Sequence, residues 1–74
     1  MPPVPTVPGV KLRRALEKIG FEVVRVNGSH HVMKHPDGRH VAVPVHSGRD
    51  VPKGTLRGIL SIIGLSVEDL TKLL

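Results

Sequence analysis

A chain of 74 residues without cysteine has room for one small core and no disulfide to staple it. That argues against a secreted disulfide scaffold and for a reducing, cytoplasmic setting. No apolar run approaches the ~18 residues of a membrane span, and the N-terminus lacks the charged and apolar regions of a signal peptide, so neither a membrane partner nor secretion is expected. The formal charge of +5, with 39% hydrophobic residues and Phe21 as the only aromatic, predicts a Val/Leu/Ile core and a polyanionic partner, nucleic acid or an acidic protein.

Met1 to Pro8 holds four prolines in eight residues. This composition predicts an extended, flexible polyproline-like leader that carries no chemistry, with the domain proper at residues 9–74. A first helix is expected from about Val10 to Ile19, with Gly20 as its stop. Leu12, Ala15, Leu16 and Ile19 fall at i, i+3, i+4 and i+7 and form its core stripe. Lys11, Arg14 and Lys18 repeat that spacing on a neighbouring face as a basic stripe.

Phe21 to Val26 reads as the first strand. Asn27-Gly28 and Asp37-Gly38 are turn dipeptides bracketing His30 to His35, the expected middle strand of a three-stranded meander. A two-residue hairpin at Asp37-Gly38 sets His35 opposite His40, Met33 opposite Ala42 and Val32 opposite Val43. Val32, Val41, Val43 and Val45 then share the helix-covered face with a half-buried His30, while His31, Met33, His35 and His40 point away.

After a polar connection, Pro52-Lys53-Gly54-Thr55 opens a second helix to about Ile63, with Gly64 as its stop. Leu56, Ile59, Leu60 and Ile63 form its core stripe, and Ile62 lies off it. Ser66-Val67-Glu68-Asp69 reads as a capping box for a short last helix over Val67 to Leu73, with Leu65 and Leu70 as a hydrophobic staple. The order is α-β-β-β-α plus a short C-terminal helix, an α+β sandwich. The charge belongs to its first part. Gly9 to Arg57 holds ten Lys/Arg against four acids, and the remainder only Lys72 against Glu68 and Asp69.

Three chemistries compete for the histidines. A metal site is poorly served: His31 and His35 lie about 13 Å apart along a strand, and His35 with His40 lacks a third ligand. No metal and no cofactor is expected. Ser29 beside His30 has no G-x-S-x-G elbow or triad around it, so a serine hydrolase is rejected. A structural or purely binding role for the histidines stays open. The third chemistry is RNA cleavage, in which the 2′-hydroxyl is the nucleophile, and one imidazole among cations supplies the rest.

Gly20-Phe21, Gly28-Ser29-His30, His35-Pro36-Asp37-Gly38-Arg39, Val43-Pro44-Val45-His46, Gly54-Thr55-Leu56-Arg57-Gly58-Ile59-Leu60 and Gly64-Leu65-Ser66 follow one another in an order and spacing that resembles the HicA toxin family, from about Gly9 to Leu74. The resemblance implies a fold like the double-stranded-RNA-binding domain and a metal-independent mRNA endonuclease that halts translation in a stress response. It also implies a HicB-type antitoxin covering His30. The family's essential histidine falls on His30, with His31 a second choice, and its Gly-Thr-Leu-Arg segment on Gly54 to Arg57. The chain departs from the family at Pro8, where a polar helix cap is common, and at Ser61-Ile62, where Arg or Lys with Gln is common.

The expected site therefore has His30 as catalyst. Gly28 and Ser29 set its direction, His31 stands in a secondary place, and Lys11, Arg14, Arg39, Lys53 and Arg57 hold RNA phosphates. The alternatives are a non-catalytic RNA-binding domain and an inactive HicA-like interaction module. An exposed Ile62 would favour self-association, which the residues otherwise leave open.

Overall fold

The computed structural model describes residues 3–74. Its elements are α1 (Gly9–Lys18), β1 (Glu22–Asn27), β2 (His30–Lys34), β3 (His40–Pro44), α2 (Lys53–Ile63) and α3 (Val67–Leu73). The strands form one antiparallel sheet in the order β1-β2-β3. This is the α-β-β-β-α arrangement with an extra C-terminal helix that the sequence predicts. Among the described residues, no helix is long and apolar enough to cross a membrane.

The helices lie where their apolar spacing requires. Leu12, Ala15 and Leu16 of α1 and Leu56, Ile59, Leu60 and Ile63 of α2 are buried together with Met33, Val41 and Val43 of the sheet. Phe21, the single aromatic, is buried in the same core. Both longer helices end where predicted, by a paired closure in which Phe21 N–H reaches Leu16 O at 3.1 Å and Leu65 N–H reaches Leu60 O at 3.0 Å. In α3, Ser66 Oγ accepts from Asp69 N–H at 3.0 Å, and Leu70 is buried. Ile62 stands in solvent, 64% exposed.

The N-terminal segment is extended, but it is not a loose leader over its described part. Val4 and Val7 are buried in the core, and Val51 N–H donates to Val7 O at 2.8 Å. Two valines spaced three apart between prolines give an extended chain enough apolar surface to dock. Met1 and Pro2 lie outside the described residues.

The β2–β3 connection corrects the expected register. Gly38 N–H reaches His35 O at 2.9 Å and His35 N–H reaches Arg39 O at 2.8 Å, and Gly38 takes a left-handed φ of 99°. The loop therefore has three residues, Pro36-Asp37-Gly38, a β-turn followed by a left-handed glycine. Lys34 now faces His40, Met33 faces Val41, His31 faces Val43 and His30 faces Pro44. The one-residue slip leaves β3 as predicted but turns over every side chain of β2. Met33 is fully buried, and His30 is exposed on the face opposite the helices.

In β1 the register breaks between Val23 and Arg25. Val23 still pairs with Met33 on the covered side, whereas Arg25 pairs with Val32 on the open side. Val24 is the extra residue of a bulge in this edge strand.

Candidate active site

Asn27 and His30 are cross-strand partners, so only Gly28 and Ser29 lie between β1 and β2. Gly28 has φ 61°, and no non-glycine residue among those described has positive φ. Positive φ at the first central position alone is the pattern of a type II′ hairpin, which demands glycine there. The Gly-Ser-His string is thus a tight turn followed at once by the first residue of the middle strand. That fixes the backbone of His30 on both sides while its ring stays in solvent.

The open face of the sheet reads in three rows: Asn27, His30 and Pro44; then Arg25, Val32 and Ala42; then Glu22, Lys34 and His40. Arg25 is the diagonal neighbour of His30, a relationship of about 7–8 Å between backbones. Lys34 and His40 lie four residues away along the strand, about 13 Å.

Ser29 ties a third segment to this turn. Its carbonyl accepts Val45 N–H at 2.7 Å, and its hydroxyl lies 3.3 Å from Nε2 of His46. The side chain predicted to direct His30 therefore touches His46. The helical layer closes on the same strand end: a β-carbon on Gly9 would strike the Pro44 carbonyl oxygen and come within 2.8 Å of Val45 Cα. Only glycine lets α1 begin there.

The remaining histidines have other surroundings. His31 is half-buried on the helix-covered face, between Val26 and Val43. His35 has no free ring nitrogen: Nε2 lies 3.0 Å from Ile19 O, and Nδ1 accepts Asp37 N–H at 3.1 Å. Its ring also packs on Phe21 with centroids 5.0 Å apart. His35 and His40 do not face each other, which corrects the expected pairing. Among the described residues, no three His, Asp or Glu side chains gather as a metal-binding group.

Of the five cations expected to hold phosphates, none stands on the open face. Arg39 is engaged by Asp37 through Nε at 2.8 Å and by the Ile63 carbonyl, and its guanidinium lies 5.3 Å from the Phe21 ring centroid. It is a clamp of the fold. Arg39 N–H, followed by its guanidinium and by His35, holds the Asp37 carboxyl below its ordinary range. Lys11 and Arg14 line a shallow groove against Leu73 and Leu74, where Lys18 Nζ also reaches Leu73 O at 2.7 Å. Arg57 borders an apolar cleft with Val4, Leu60 and Leu65, and Lys53 opens α2.

Two residues around the Gly28-Ser29 turn and His30 escape a reading of the sequence. Arg25 reaches the open face only because of the bulge, which no residue type announces. His46 stands in the Val-Pro-Val-His string, but its contact with Ser29 depends on the register of β3.

A family model described as "HicA toxin of bacterial toxin-antitoxin" matches residues 9–65. The match begins at the first residue of α1 and ends just before α3. No curated protein matches the chain significantly.

Proposed function

The chain belongs to the HicA family of bacterial toxin–antitoxin toxins, and from this premise we propose that it is a metal-independent endoribonuclease that cleaves mRNA in the cytoplasm through His30. The observation that carries the reading is an exposed imidazole, locked by a two-residue turn at the start of the middle strand, with Arg25 as its diagonal neighbour. Such a ring moves a proton while the 2′-hydroxyl attacks, and the guanidinium opposes the charge that grows on the phosphate.

Gly28 shapes the turn, Ser29 anchors it to the segment after β3, and His31 on the covered side takes a packing role. Arg25 takes the nearest phosphate, and Lys34, about 13 Å along the strand, a more distant one. Lys11, Arg14, Lys53 and Arg57 extend the field that draws RNA toward the protein. Phe21 is buried, so no aromatic stacks on bases, and recognition leans on backbone contacts with weak base preference. A HicB-type antitoxin would silence the toxin by covering His30 on this open face.

Purified protein incubated with labelled RNA in EDTA tests the reading. Cleavage by the wild type that falls about 10²–10⁴-fold in His30→Ala is expected. Binding without cleavage would instead indicate an RNA-binding domain or an inactive relative. Cleavage retained by His30→Ala would remove His30 from the chemistry.

A further inference from the structure

We propose that His46 is the second proton-transfer residue of this site, the general acid that protonates the departing 5′-oxygen while His30 accepts the proton of the attacking 2′-hydroxyl. The inference rests on the nuclease reading above and names a catalytic partner for it.

The surroundings of the five histidines single out this pair. His35 has both ring nitrogens occupied, His31 turns toward the helices, and His40 sits at the far end of the open face. His46 is exposed, and its one side-chain hydrogen bond among the described residues is with Ser29 Oγ at 3.3 Å through Nε2. Ser29 precedes His30 directly, and its carbonyl holds Val45 N–H at 2.7 Å. One turn therefore positions both imidazoles. His46 lies two residues beyond Pro44, the last residue of β3 and the cross-strand partner of His30, and Val45 between them is the residue held to Ser29. Two imidazoles, one following Ser29 in the chain and one held to its hydroxyl, can serve the two oxygens of one phosphodiester.

The step balances. His30, neutral, takes the 2′-hydroxyl proton, and the 2′-oxygen bonds to phosphorus as the bond from phosphorus to the 5′-oxygen breaks. His46, protonated, gives its proton to the 5′-oxygen. The products are a 2′,3′-cyclic phosphate and a 5′-hydroxyl, and solvent exchange resets both rings. Ser29 is a positioning residue that steadies the His46 ring from its Nε2 side.

The test compares ordinary RNA with RNA carrying sulfur in place of the bridging 5′-oxygen at one linkage, because a thiolate departs without a proton. His46→Gln should slow cleavage of ordinary RNA about 10²–10⁴-fold, yet cut the sulfur substrate within about tenfold of wild type. His30→Gln should be slow on both, and His40→Gln should match wild type on both. Ser29→Ala, which keeps the ring but frees it, should show a smaller loss confined to ordinary RNA. Full activity in His46→Gln, or an equal loss on both substrates, would overturn the assignment. A wild-type protein that cuts neither substrate would overturn the nuclease reading itself, and this one with it.

Discussion

Met33 stands directly across from Val41 on the face that the helices cover, and this one pairing sends His30 to the opposite, open side. The two facts are inseparable, because β2 side chains alternate. A thermodynamic test follows. Met33→Ala should destabilise by about 2–5 kcal/mol, whereas Val32→Ala on the open face should cost about 1 kcal/mol or less. Urea midpoints of the two variants decide it, and the reverse ranking would mean that β2 is turned over.

Arg25 provides a test on the RNA side. Arg25→Ala should weaken binding and make the salt dependence shallower, by about 0.7 in the slope of log K against log salt for each single-strand phosphate that the guanidinium neutralises. Lys72→Ala, on α3 in the helical layer, should leave the slope unchanged. Fluorescence titrations across a salt series would show both.

Gly9 and Gly58 should respond in opposite directions to the same change. A methyl on Gly9 meets the backbone of Pro44 and Val45, which cannot move aside without lifting α1; Gly9→Ala should cost about 1–3 kcal/mol. Gly58, inside α2, has open space around a β-carbon, so Gly58→Ala should add about 0.5–1 kcal/mol through helix propensity. Thermal melts of the pair are sufficient.

Asp37 should give the fold an acid-sensitive component. Its carboxyl is held below its ordinary value in the folded chain, chiefly by Arg39 N–H, so the unfolded chain binds the proton more readily. Stability from this group is complete above the unfolded value of about 3.9 and disappears as pH falls through the lower folded value. Wild type and Asp37→Asn should differ most near neutrality and converge as pH falls through the lowered folded value. Urea midpoints measured across that range would reveal a constant gap if the charge plays no part.

The N-terminal segment should behave as part of the core. Val7→Ala should cost about 2 kcal/mol of buried apolar surface, and deletion of residues 1–8 should lower the Tm further, since Val51 N–H also loses its acceptor. An unchanged melt for the deletion would restore the picture of a detached leader.

The residues alone determined much of this protein. The 3.6-residue stripe of Leu12, Ala15 and Leu16, the glycine stops at 20 and 64 and the Ser66 cap are local signals, because helix periodicity and capping act within a few residues. Ordered strings such as Gly28-Ser29-His30 carried the family in the same way. What the tertiary structure decided was which face each strand turns to the helices. A three-residue loop instead of a two-residue one, and one extra residue at Val24, exchanged the places of His30 and His31 and brought Arg25 beside His30. A strand has a side-chain period of two, so a single residue of slip reverses it. The chain resolves that choice only when Met33, Val41 and Val43 bury together under α1 and α2, and the contact between Ser29 and His46 exists only after that burial has set the register.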